Sequence, residues 1–93
     1  MNKKELTKAL SIVRESIHRI DPYSLLESGS PEDEFDSEIN SITSQLQRCN
    51  SGNDVAHAIS RVLNSAFSEK HKPEQFEEEG NLIYKALVSN GLK

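Results

Sequence analysis

Two pairs of residues in this sequence have the spacing of metal ligands. Glu15 and His18, and likewise Asp54 and His57, are separated by two residues, so each pair would share one face of a helix. Two carboxylate-x-x-His pairs, with a glutamate from each of two further helices, form the di-iron sites of four-helix proteins. That chemistry requires all the ligands to point into the helix bundle.

The helical positions of these residues argue against such a site. At 100° per residue, Glu15 and His18 fall about 180° and 120° from the centre of the apolar stripe on their predicted helix. His57 falls about 160° from the stripe of its own helix, and Asp54 also lies well off it. Both pairs are therefore predicted to face solvent, and we expect no metal and no other cofactor.

Cys49 and His71 are the other residues with catalytic potential. Cys49 is the single cysteine, so the chain can form neither an internal disulfide nor a zinc site built from thiolates. It falls in a predicted apolar seam near a helix C-terminus, which raises rather than lowers the pKa of a thiol. His71 falls in a charged loop. Because the sequence also lacks a G-x-S-x-G motif and a glycine-rich phosphate loop, we expect that the protein is not an enzyme.

The elements that would position these residues are four helices, since the apolar residues recur at helical spacing and no strand-like alternation occurs. The predicted apolar stripes are Leu6, Ala9, Leu10, Val13, Ile17 and Ile20 in helix 1; Phe35, Ile39, Ile42, Leu46 and Cys49 in helix 2; Val55, Ile59, Val62, Leu63, Ala66 and Phe67 in helix 3; and Phe76, Ile83 and Leu87, with Leu82 and Ala86 beside them, in helix 4.

Local signals mark the ends of these helices. Helix 1 is predicted to run from about Lys3 to Ile20. A capping box of Asn2 and Glu5 marks its start, and Asp21-Pro22 marks its stop and a short extra turn. Helix 2 is predicted to start at Ser30-Pro31 and to break at residues 50–53. Helix 4 is predicted to start at Pro73 and to stop at Asn90-Gly91.

Ninety-three residues are enough for one hydrophobic core, so residues 1–93 are expected to form a single helical domain. Four helices joined by short loops predict an all-α fold, a small antiparallel four-helix bundle with a short extra turn between helices 1 and 2. Hydrophobic residues make up only 34% of the chain, which indicates a thin core that a partner could stabilise.

The charge of the chain limits its partners. A net charge of −4 disfavours nucleic acid and anionic membranes, since both attract basic surfaces. The sequence contains no apolar run of signal-peptide or membrane-spanning length, so a cytoplasmic location is expected.

The acidic charge is concentrated in residues 21–38, which contain seven acidic residues and no basic one. Acids in the first turn of helix 2 can be explained by the helix dipole, and calcium is disfavoured because they lack the spacing of a loop site. Residues 1–20 carry a local charge of +3, so the two segments could instead form a self-complementary surface. The candidate partner-binding residues are Tyr23, Glu32, Asp33, Glu34, Asp36 and Glu38.

The residues Asp21-Pro22-x-x-Leu25-Leu26 and Pro31-Glu32-Asp33-Glu34-Phe35-Asp36-x-Glu38-Ile39 form a pattern. It resembles the D-P-x-x-L-L…P-x-D-E-[FY]-D-x-E-[IV] signature of a family of small, all-helical bacterial domains of unknown function. The resemblance implies a stand-alone cytosolic protein and supplies no catalytic residues.

Size, charge and fold class together are typical of bacterial immunity proteins, which neutralise toxins. We therefore expect a protein-binding module that binds a basic, nuclease-type toxin domain through its acidic surface. The alternative is a housekeeping regulatory or scaffold domain that self-associates through an apolar helix face. The sequence does not specify the oligomeric state.

Overall fold

A computed structural model describes residues 2–20, 29 and 35–93. The described residues are mostly helical and contain no strand. The helices are α1 (Lys3–Ile20), α2 (Asp36–Gln45), α3 (Gly52–Phe67) and α4 (Glu77–Ser89), and 3₁₀ turns occupy Leu46–Arg48 and Pro73–Phe76. The predicted extra turn after Asp21-Pro22 and the predicted helix start at Ser30-Pro31 lie outside the described residues.

The start of α1 is fixed by the predicted capping box, which is confirmed. The Glu5 amide donates to Asn2 Oδ1 at 2.8 Å, and the Asn2 amide donates to Glu5 Oε1 at 3.1 Å, so two amides that lack helical partners are satisfied. Farther along α1, Ala9, Val13 and Ile17 are fully buried, whereas Leu6 is 43% exposed. The buried face of α1 therefore covers most, but not all, of the predicted stripe.

The seam predicted for helix 2 is confirmed, because all five of its residues are buried: Phe35, Ile39, Ile42, Leu46 and Cys49. The α-helix itself ends at Gln45, and the 3₁₀ turn that follows carries Leu46 to the core. Cys49 then adopts an extended conformation, which leads the chain away from α2 and into α3.

The third helix has the widest buried face of the four. Its N-cap is Ser51, whose hydroxyl accepts a hydrogen bond from the Asp54 amide. Val55, Ile59 and Leu63 are fully buried as predicted, and Ala56, Ala58 and Ser60 are buried beside them. The small residues allow neighbouring helices to approach from more than one side, so α3 lies at the centre of the packing.

The closest helix–helix contact joins the start of α3 to α4. A Cβ atom added to Gly80 would lie 2.8 Å from the Ala56 amide nitrogen and would also overlap the Gly52 carbonyl oxygen. A Cβ atom on Gly52 would overlap Asn81. The two backbones are therefore in direct contact, and only glycine fits at positions 52 and 80.

The end of α4 is a Schellman motif. Gly91 has a φ of 73°, its amide donates to the Val88 carbonyl at 3.1 Å, and the Leu92 amide donates to the Leu87 carbonyl at 2.8 Å. Leu92 packs against the core beyond the helix. The predicted stop at Asn90-Gly91 is confirmed.

Four pairs of helices form the main contacts between the described elements. Helix α3 packs most extensively on α4, α2 packs on both α1 and α3, and α4 returns to α1. Each helix thus contacts its two neighbours around one core.

The contact at Gly80 gives the first prediction. In an open helix, glycine-to-alanine substitution is stabilising by about 1 kcal/mol. Here we expect Gly80→Ala to destabilise the protein by about 1–3 kcal/mol, because the added methyl group forces α4 away from α3. Urea denaturation measures the difference, with Lys85→Ala on the exposed side of α4 as the control. An unchanged or increased stability of Gly80→Ala would show that the helices can separate freely.

A second prediction concerns the end of α3, where Ser68 is the C-cap and has a φ of 53°. Because this left-handed conformation costs a residue with a Cβ atom roughly 1 kcal/mol, we expect Ser68→Gly to raise the stability by about that amount. The control Ser65→Gly, inside α3, should lower stability by a similar amount. Thermal unfolding of both variants checks the opposite signs.

Candidate functional site

Of the predicted partner-binding residues, Asp36 and Glu38 are described, and both lie in the first turn of α2. The other four, Tyr23, Glu32, Asp33 and Glu34, lie outside the described residues. A carboxylate in a first turn is stabilised by the helix dipole by about 0.3–1 kcal/mol. Helix stability therefore explains in part why residues 36 and 38 are acidic.

Asp36 has a counter-charge on α1. Its carboxylate lies 3.6 Å from the Arg14 guanidinium, and the two side chains are 44% and 47% exposed. A pair with this exposure contributes at most about 1 kcal/mol. The basic segment and the acidic segment therefore complement each other at this position, as the alternative of a self-complementary surface predicts.

Glu38 lines a groove of about 350 Å³ between α2 and α3. The residue is half-buried, and its Oε2 atom is enclosed without a hydrogen-bond partner. An enclosed carboxylate oxygen without a partner is costly. The rest of the lining is mostly small or polar: Ser37, Ser41, Gln45, Arg61, Val62, Ser65 and Ala66.

The beginning of α2 lies beside the end of α3. The rings of Phe35 and Phe67 are 6.4 Å apart between centroids and meet edge to face, and Glu38 and Ala66 line the same groove. Farther along, Arg61 Nη2 donates to Gln45 Oε1 at 2.8 Å. These contacts fix which residues of α2 and α3 face each other.

The loop before α4 is also tied to the second half of α3. Asn64 accepts a hydrogen bond from the His71 amide at 2.7 Å, and the His71 carbonyl accepts from both Asn64 Nδ2 and Ser60 Oγ. The His71 ring packs edge to face on Phe76, with centroids 5.6 Å apart. His71, which the sequence places in a charged loop, is thus half-buried and held by both its backbone and its ring.

These connections place several carboxylates near the end of α3, and we call this region the acidic end. Its described acids are Asp36 and Glu38 of α2, and Glu69 and Glu74 of the segment after α3. The basic residues there are Arg14, which is paired with Asp36, and Lys70 and Lys72. Four acids against three bases leave the region slightly negative. Glu77 and Glu78 in the first turn of α4 lie instead toward the start of α3, because Gly80 contacts Gly52.

A different set of charges surrounds the start of α3. A cup of about 200 Å³ is lined by Arg48, His57 and Arg61, together with Gln45, Cys49 and Asp54. The Asp54 carboxylate accepts a hydrogen bond from the Asn50 amide at 2.9 Å, so it has a capping role. The groove and the cup share Gln45 and Arg61.

The thiol of Cys49 lies at the bottom of this cup. Cys49 is 4% exposed, and its Sγ donates to the Gln45 carbonyl at 3.4 Å. Burial raises the pKa of the thiol, the nearby Asp54 carboxylate raises it further, and Lys93 and Arg61 oppose both effects. A thiol with a raised pKa is a weak nucleophile at neutral pH.

The carboxylate-x-x-His pairs do not meet. Glu15 is exposed and lies 3.7 Å from Arg19, while Asp54 caps α3 and His57 is exposed. His18 differs from the prediction: it is half-buried, and its Nε2 atom is enclosed without a hydrogen-bond partner. Within residues 2–20, 29 and 35–93, no three His, Cys, Asp or Glu side chains are grouped to hold a metal ion.

The sequence did not reveal the groove or the cup. Gln45 and Arg61 are 16 positions apart, and each alone is an ordinary exposed-face residue of its helix. The one available signal was the pair Arg48 and Arg61, the only arginines beyond α1. Arg48 and Arg61 come together because particular faces of α2 and α3 meet. Helical periodicity does not define which faces meet.

Comparisons with protein-family models, with curated proteins and with solved structures find no match to this chain. In the described part of the chain, every helix is too short or too polar to span a membrane.

The burial of Cys49 gives a third prediction. A raised pKa means that the folded state favours the neutral thiol over the thiolate. The resulting contribution to the free energy of unfolding is fully present below the pKa of the thiol in the unfolded chain, about 8.5. This contribution is lost as the pH rises from there through the higher pKa of the folded state. We therefore expect stability to fall more steeply above pH 8.5 in the parent than in Cys49→Ala, measured by urea denaturation from pH 7 to 10. Parallel curves for the two proteins would contradict the assignment.

Proposed function

We propose that this chain is a cytoplasmic protein-binding module, and specifically an immunity protein that neutralises a basic, nuclease-type toxin domain. The observation that carries the proposal is the acidic end, where α2 and the segment after α3 contribute carboxylates to one region. A basic protein would be attracted to such a surface, with fast and salt-sensitive association.

Two acids of this end are exposed and free of described ion pairs. Asp36 is paired with Arg14 and Glu38 is half-buried, but no described base lies within 4 Å of the exposed Glu69 and Glu74. The predicted partner residues Glu32, Asp33 and Glu34 directly precede Phe35 in the chain, and Tyr23 would supply an aromatic contact.

We also propose that the four helices form the predicted antiparallel bundle. Between α2 and α3, Phe35 faces Phe67 and Gln45 faces Arg61. Between α3 and α4, Gly52 faces Asn81 and Ala56 faces Gly80. In both pairs of helices the residue numbers run in opposite order, which supports antiparallel neighbours.

Self-association through an apolar helix face has less support. The exposed large hydrophobic residues of the described chain are Leu6 on α1, and Leu82 and Val88 on α4. Leu82 and Val88 are about 120° apart around the helix, so they do not form one stripe. Scattered single hydrophobic residues are normal on a monomer surface.

The fourth prediction tests the acidic end with charge-matched variants. Asp36→Asn/Glu38→Gln raises the net charge by two, and Asn50→Lys/Asn53→Lys raises it equally near the start of α3. With a toxin domain encoded beside this chain as the ligand, we expect the first variant to bind at least tenfold more weakly at 50 mM salt and the second to bind like the parent. Surface plasmon resonance measures both, and thermal unfolding confirms that each variant is folded.

Two results would contradict the proposal. The first is binding that is equally strong at 50 and 500 mM salt, because attraction between exposed charges is screened. The second is a genetic neighbourhood without any toxin gene, together with no protection of cells that express a toxin domain.

A further inference from the structure

The four arginines of the chain fall into two groups. Arg14 and Arg19 on α1 form ion pairs with Asp36 and Glu15. Arg48 and Arg61 have no carboxylate within 4 Å among the described residues, and both line the cup at the start of α3. In a chain with four more acidic than basic residues, two guanidinium groups without ion pairs in one cup require an explanation.

The cup holds the Arg61 guanidinium in place. Gln45 Oε1 accepts from Arg61 Nη2 at 2.8 Å, and Gln45 Nε2 donates to the Ser41 carbonyl at 3.3 Å. Gln45 is thus anchored to its own helix while it binds the guanidinium, which reduces the conformational freedom that a ligand would have to remove.

His57 provides a third donor. It lies one helical turn before Arg61 on α3 and lines the same cup. An imidazole has at least one N–H donor in either protonation state. Lys93 adds positive charge nearby, because its ammonium group donates to the Gln47 carbonyl at 2.9 Å and acts on the Cys49 thiol together with Arg61.

From this arrangement we propose that the cup lined by Arg48, His57 and Arg61 binds a phosphate group, either as the free ion or as a small phosphate ester. A guanidinium group donates two parallel hydrogen bonds to an oxyanion, and such charge-assisted bonds are strong. Two guanidinium groups and an imidazole match the several oxygens and the double charge of phosphate, whereas a carboxylate offers two oxygens and a single charge. The site is independent of the proposed binding of a toxin.

Asp54 limits the affinity of the cup for an anion. Its carboxylate also lines the cup, where it repels an anion, but one of its oxygens is engaged by the Asn50 amide. Asparagine at this position would keep an oxygen for that hydrogen bond and remove the negative charge. Asp54→Asn is therefore expected to bind phosphate several-fold more tightly than the parent.

The fifth prediction uses inorganic phosphate as the probe. Titration of the ¹⁵N-labelled full chain, followed by NMR, should give saturable shifts at Arg48, His57 and Arg61 with a dissociation constant in the millimolar range or below. Arg61→Gln should weaken binding at least fivefold. The matched control Arg19→Gln removes one exposed guanidinium from α1 and should leave binding unchanged.

The outcomes separate clearly. Tighter binding of glycerol 3-phosphate than of inorganic phosphate supports the site with an ester as its ligand, and the reverse supports the free ion. The proposal is overturned if sodium chloride at equal ionic strength produces the same shifts, if acetate binds as tightly as phosphate, or if Arg19→Gln and Arg61→Gln weaken binding equally. NMR spectra of the variants without ligand show whether each remains folded.

Discussion

The backbone contact between Gly52 on α3 and Gly80 on α4 is the constraint on which the other contacts depend. Because no side chain separates the two helices there, α4 is held against the start of α3. From that crossing, α4 brings Ile83 and Leu87 into the core, and Leu92 packs on the same core beyond the helix. The loop bonds between Asn64 and His71 fix α4 at a second point, so both its position and its direction relative to α3 are set.

The two charged regions follow from this packing and from the groove between α2 and α3. Helix α3 has 16 residues and is about 24 Å long, so its two ends present separate surfaces. The first turn of α2 lies beside the last residue of α3, whereas the 3₁₀ turn that contains Arg48 lies beside its first turn. The acidic end therefore lies near the last turn of α3, and Arg48 lies near its first turn.

Much of the fold could be predicted because helical periodicity and caps are local signals. The seam from Phe35 to Cys49, the Asn2 and Glu5 capping box and the stop at Gly91 each depend on residues close together in the sequence, so each is predictable. The burial of His18, the pairing of Asp36 with Arg14 and the cup around Arg61 are not predictable in this way, because each depends on which faces of different helices meet. Of the candidate site, the sequence identified the acids but not the groove that Glu38 lines.

The separation of charge along α3 has an electrostatic consequence. The molecule is 35 Å in its longest dimension, whereas the Debye length at physiological ionic strength is about 8 Å. At physiological ionic strength the charges at one end of α3 are therefore largely screened from a molecule that approaches the other end. The two ends can then attract ions of opposite charge. At lower ionic strength the Debye length grows, so the fields of the two regions overlap and partly cancel for a distant partner.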